Sequence, residues 1–177
     1  MRVCAKHRQK YAYACAVTPE EATATIAGRE TLTVEFKRGR QNDLRDDDIV
    51  EAAVCLANAE GGTLFLGVTD DGVAEGLHPR HGEQTEPHLL RAMIMNRTEP
   101  PLSVDVELVA LDGTEIAAIE VPRATFPVGT SSGKYLRRTL QPNGEPQCKP
   151  LMLHTMLAQG LAAQGGDYAA VPARGVT

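Results

Sequence analysis

The sequence predicts an α+β fold, a mixed and mainly antiparallel sheet of about five strands with three to four helices packed against it. Two kinds of pattern carry that expectation. Helix-start residues lead into apolar spacings of three and four at several places, and strict two-residue alternation marks the segments between them. Gly, Pro and Asp-Gly punctuation separates the two. A chain of 177 residues has room for one domain with a substantial core, because about 150 residues suffice to bury roughly two-thirds of the unfolded surface.

The elements follow in order. Thr18-Pro19-Glu20-Glu21 offers an N-cap hydroxyl, a proline at the first helical position and two acids in the first turn. That helix runs to about Ala27 and stops at Gly28. From Thr31 to Lys37 the chain alternates, with Leu32, Val34 and Phe36 on one side and Thr33, Glu35 and Lys37 on the other, as a half-buried strand does. Asp46 to Asp48 cap a second helix through Ala59. Its broad apolar stripe, Ile49, Ala53 and Leu56 beside Val50, Val54 and Ala57, suits a helix pressed on a sheet. Gly61-Gly62 reads as its C-cap, Thr63 to Val68 as an interior strand, and Asp70-Asp71-Gly72 as an acidic turn.

A third helix covers Glu86 to Asn96, buries Leu89, Leu90, Met93 and Ile94, and ends before Pro100-Pro101. Two alternating strands, Ser103 to Leu111 and Thr114 to Val121, are joined by Asp112-Gly113, a dipeptide favoured in two-residue hairpins. After an irregular loop come a short basic strand at Lys134 to Thr139 and a last helix at Leu151 to Ala158. Residues 1–17 read as a poorly ordered leader, 18–159 as the domain and 160–177 as a flexible tail, with no internal repeat.

Composition excludes several classes. With no tryptophan and few aromatics, the core must come from Leu, Val, Ile, Ala and Met. No stretch approaches the ~18 apolar residues of a membrane helix, so no membrane partner is expected, and the basic leader with its interrupted apolar part points to the cytoplasm. Cys4, Cys15, Cys55 and Cys148 are scattered, without a CxxC pair or a histidine at finger spacing, which argues against a zinc site or a disulfide framework. Cys55 falls in the helical pattern as a small core residue. His78 and His81, in LHPRHGE, lack the third ligand that a rigid metal site needs.

The net charge of −5 is unevenly spread. Residues 121–149 hold Arg123, Lys134, Arg137, Arg138 and Lys149 against Glu145 alone, and Lys37, Arg38 and Arg40 form a second cluster. Such stripes suit phosphate contacts, although exposed strands also carry basic residues for solubility. A P-loop is absent: Gly129-Thr-Ser-Ser-Gly133-Lys134-Tyr135 is one residue short, puts tyrosine where the hydroxyl ligand belongs, and precedes a strand.

The order EFK, a helix ending in ANAEGG, then TLFLGVTDDG, then PP, a hairpin and GKYLRR resembles the Schlafen AlbA domain family over about residues 29–150. The resemblance implies a nucleic-acid-binding module, for DNA or RNA, of the kind described in prokaryotes as transcriptional regulators. Some Schlafen members cut structured RNA with three carboxylates. Carried over, those positions are Glu30, Glu35 and Asp70, with Asp71 as the fallback, holding Mg²⁺ or Mn²⁺, and Lys37 as a phosphate contact or transition-state stabiliser. The backbone would be held by Lys37, Arg38, Arg40, Lys134, Arg137 and Arg138.

Two readings therefore stand beside plain nucleic-acid binding: a metal-dependent endoribonuclease, and a protein-interaction or homo-oligomerisation module. Geometry tests the first, because an unbroken strand would separate Glu30 from Glu35 by roughly 16 Å and point them to opposite faces. They can share a ligand only if the chain bends near Gly28. Each acid also has a structural role open to it. Glu35 can pair with Lys37 or a neighbouring arginine, Asp71-Gly72 can serve as a hairpin turn, and Asn58 and Glu60 can finish their helix.

Overall fold

In a computed structural model, residues 17–40 and 44–163 are described. All but the last residue of the expected leader and most of the expected tail lie outside them. Helix α1 (Pro19–Ala27) begins with a complete capping box: the Thr18 hydroxyl accepts from the Glu21 N–H while Glu21 returns to the Thr18 N–H. Strand β1 (Val34–Lys37), helix α2 (Asp46–Ala57) and strand β2 (Gly62–Leu66) form a parallel β-α-β unit, with Phe36 in register with Phe65. Helix α3 (Pro87–Asn96) leads to a two-residue strand β3 (Thr98–Glu99). Strands β4 (Asp105–Leu111) and β5 (Thr114–Val121) make the long hairpin, turning through Asp112 and Gly113, both at positive φ.

The main sheet has the order β1-β2-β5-β4, parallel at β1–β2 and antiparallel elsewhere. Two-residue alternation sends its side chains into two cores. On one face, Leu64, Leu66, Val106, Ala117 and Ile119 meet the apolar stripe of α2 and Leu90 and Ile94 of α3. On the other, Phe36, Phe65, Val109, Ile116 and Ala118 meet Ala22 and Ile26 of α1. The sheet is thus covered on both sides, and each fully buried side chain of Leu or Phe size contributes about 1.5–3 kcal/mol.

The α+β expectation and its helices stand, with local differences. Leu89, expected inside, is 40% exposed because only Leu90 and Ile94 of α3 reach the core fully. Three strands had no clear sequence signal: β3, its partner β6 (Gly129–Thr130), and β8 (Pro146–Pro150), which pairs antiparallel with β7 (Leu136–Leu140). Both are side sheets of two strands. The last helix, α4 (Leu153–Ala163), starts later and extends further than its pattern suggests.

Gly62 sits at φ 136°, where a Cβ would collide with the Thr33 carbonyl, so the second glycine of Gly61-Gly62 allows β2 to approach the chain leading into β1. The disulfide expectation is corrected. Cys55 on α2 and Cys148 on β8 are joined across 93 residues, and the link ties the β7–β8 hairpin to the central helix. Sequence spacing could not show it, because the partners meet only through a hairpin that the sequence did not reveal.

Candidate nucleic-acid interface

The chain does bend between Glu30 and Glu35. Arg29 adopts φ 62°, residues 31–33 turn, and the Thr31 N–H donates to the Val34 carbonyl at 3.1 Å. Glu30 therefore folds back over the start of β1, where Oε1 accepts the Phe36 N–H at 2.7 Å. β1 is an edge strand of the main sheet, and this carboxylate occupies one of its outward donors.

Arg138 of β7 completes the closure of that edge. Its guanidinium donates to the carbonyls of Thr31 at 2.7 Å and Val34 at 2.8 Å, pairs with Glu30 Oε2 at 3.4 Å, and also pairs with Glu35. Glu35 holds Lys37 as well. Unpaired strand edges invite pairing with other chains; here two acids and an arginine cap the edge from the side. Burial pushes the Arg138 guanidinium down from its ordinary value, and the charge and hydrogen bond of Glu30 oppose that shift.

Glu30 and Glu35 thus converge, and they converge on an arginine. Asp70 does not join them. It lies exposed with Asp71 on a tight turn in which Thr69 accepts the Gly72 N–H through its carbonyl and the Val73 N–H through its hydroxyl. The three positions do not fit a shared Mg²⁺ or Mn²⁺ site, since the inner two already serve a backbone N–H, Arg138 and Lys37. Among the described residues no three His, Cys, Asp or Glu side chains are placed to hold one ion.

A cavity of about 180 Å³ lies between β1, α2 and the hairpin, bordered by Glu35, Lys37, Asp48, Glu51, Arg138 and the disulfide. Its charges are matched pairwise. Lys134 bonds Glu51 at 2.6 Å, which raises the lysine's pKa, and Arg45 bonds Asp48 at 2.9 Å. The Arg45 hydrogen bond is the main cause holding the Asp48 carboxyl below its ordinary value.

The expected cationic surface is accordingly divided. Arg138 is inside, with a side chain only 3% exposed, so it is a structural counter-ion and not an outward phosphate contact. Lys37, Arg40 and Lys134 each have a carboxylate partner, Arg40 through Glu75 at 3.2 Å. Arg38 is exposed. Arg137 stands directly opposite Lys149 in the β7–β8 register, and neither makes an ion pair or side-chain hydrogen bond among the described residues. Lys149 belonged to the basic stretch in sequence; its place across from Arg137 became visible only with β8.

Asn58 is a further residue whose role exceeds its sequence reading. At the C-terminus of α2 its buried amide donates to the carbonyls of Val128 at 2.7 Å and Leu136 at 2.8 Å and accepts the Val128 N–H at 2.8 Å. It latches the loop before β6 and the first residue of β7 to the helix. Tyr135 packs its ring over Gly129, leaving no room there for a Cβ.

A sheet covered by helices on both faces, with a parallel β-α-β start, an antiparallel hairpin and a basic side hairpin, defines the class, and residues 30–146 match the family described as Schlafen, AlbA_2. The chain belongs to that family. Among solved structures it is similar to the DIP2311 protein of Corynebacterium diphtheriae, with TM-score 0.54 and 25% identity over 68% of this chain; the match spans 22% of that protein. It is also similar to the N-terminal domain of a RecG-related protein of Nitrosomonas europaea, with TM-score 0.42 and 20% identity over 60% of this chain and 74% of that domain. No helix among the described residues is long and apolar enough to cross a membrane.

Proposed function

We propose that this chain is a nucleic-acid-binding module that contacts the phosphate backbone of DNA or RNA through Arg137, Lys149 and Arg38, with Lys37, Arg40 and Lys134 as secondary contacts. One observation carries the reading: Arg137 and Lys149 oppose each other across β7–β8 without a carboxylate partner among the described residues. Like charges placed directly opposite are unfavourable, and an anionic ligand relieves that cost. Membership of the Schlafen AlbA family supports the same ligand class.

The test is a fluorescence-anisotropy titration of labelled DNA and RNA between 50 and 200 mM salt, a range over which phosphate-led affinity changes strongly. Each phosphate contact adds about 0.9 to the slope of log affinity on log salt for duplex DNA. Arg137→Glu with Lys149→Glu should flatten the slope by about 2 and weaken binding at every sequence tried. Unchanged affinity and slope in that variant would show that this surface is not the binding surface.

A further inference from the structure

Beside the same two cations the molecule opens a groove of about 490 Å³ between the β7–β8 hairpin and the start of α4, a volume in the range that holds a small organic ligand. Its lining is of two kinds. Arg137 and Lys149, with the carboxylate-paired Arg138, provide charge, while Leu140, Pro150 and Met152 provide an apolar rim. Leu140 is 50% and Met152 59% exposed, so the rim is open to solvent. The hydroxyl of Thr139, another lining residue, is enclosed without a hydrogen-bond partner.

A duplex offers such a groove only half of what it can contact, since its phosphates reach outward but its base faces are stacked inside. A single strand offers both, an anionic backbone and an apolar base face free to lie on side chains. A peptide of acidic side chains alone would match the cations but leave the apolar rim wet, and an aliphatic ligand would do the reverse.

We propose that this groove seats an unpaired nucleotide of a single-stranded nucleic acid, its phosphate between Arg137 and Lys149 and its base against Leu140 and Met152. The inference rests on the nucleic-acid-binding reading above and narrows it to the strand state of the ligand. Because the rim is aliphatic and bears no base-reading polar pair, recognition is tolerant of sequence.

The experiment compares three labelled probes on the full chain at constant low salt: a mixed-sequence single strand of twelve nucleotides, the matching duplex, and an acidic peptide. The variant is Leu140→Ser with Met152→Ser, which keeps every charge and changes only exposed side chains; its circular dichroism is measured alongside. The wild type should bind the single strand more tightly than the duplex, and the variant should lose roughly tenfold in single-strand affinity, the scale set by the apolar area that the base no longer covers, while duplex affinity moves less than twofold. Equal binding of single strand and duplex, or equal loss on both in the variant, overturns the groove assignment and leaves backbone binding standing. Tighter binding of the peptide than of either nucleic acid, or no binding of nucleic acid at all, overturns both.

Discussion

Replacing Arg138 by methionine removes the cation that, among the described residues, pairs with both Glu30 and Glu35. The arginine makes two backbone hydrogen bonds, to Thr31 and Val34, and two ion pairs. Breaking a buried pair by removing one partner costs about 3–5 kcal/mol, because a charge is left uncompensated. Glu35 keeps Lys37, and the Glu30 side chain is 27% exposed, so the lower end applies and the expected loss is about 3 kcal/mol. Urea unfolding followed by circular dichroism reads it as a lower midpoint at unchanged slope. Adding Glu30→Gln and Glu35→Gln to Arg138→Met removes the stranded charges and should restore at least about 1 kcal/mol. A single variant costing under about 1 kcal/mol, or a triple variant no more stable than the single, would refute the view that this cluster holds the β1 edge.

Asn58→Ala strands one N–H and two carbonyls in the interior and should destabilise by about 2–4 kcal/mol, measured by the same unfolding assay; a loss within experimental scatter would mean the latch is redundant. Reducing the Cys55–Cys148 link, which closes a 93-residue separation, should lower stability by about 2–4 kcal/mol, seen as a midpoint that falls with dithiothreitol in the wild type but not in Cys55→Ala with Cys148→Ala. Asp48 contributes a pH dependence of known sign. Its carboxyl is held below the ordinary value by Arg45, so the contribution is present above the unfolded carboxylate's pKa of about 4 and is lost as pH falls through the folded value. The pair is partly solvated, with the Asp48 side chain 31% exposed, so the effect should stay below about 1 kcal/mol; Asp48→Asn should flatten the acid limb of a stability profile, and an unaltered limb would assign the acid sensitivity elsewhere.

How far the fold could be read depended on whether the information was local. The Thr18 cap, the Asp112-Gly113 turn and the alternation of β5 are written within a few neighbouring residues, and the elements they specify formed where expected. β8 was hidden because Pro146 and Pro150 at its ends and exposed polar residues give no periodic apolar face. β3 and β6 have two residues each, too few for any period. The site was legible to a lesser degree. Glu30, Glu35 and Arg138 each stood out by residue type, but their meeting depends on Arg29 in a left-handed conformation and a turn at 31–33, and on a hairpin brought across α2. The disulfide and the Arg137–Lys149 opposition depend on the same unseen strand.

That hairpin explains why two adjacent arginines have opposite fates. Strand geometry sends neighbouring side chains to opposite faces, and the register sets Arg138 beside Cys148 and Arg137 beside Lys149. On the inward face one strand is anchored by the guanidinium against Glu30 and Glu35, and the other by the disulfide to Cys55 on α2. Neither anchor holds Arg137 or Lys149, which make no ion pair among the described residues and line the groove beside α4. Two of the acids that looked like a metal triad in sequence, Glu30 and Glu35, thereby bear on the proposed interface indirectly: by holding Arg138 inside they withdraw it from phosphate contact and leave Arg137 as the unpaired arginine of the strand among the described residues.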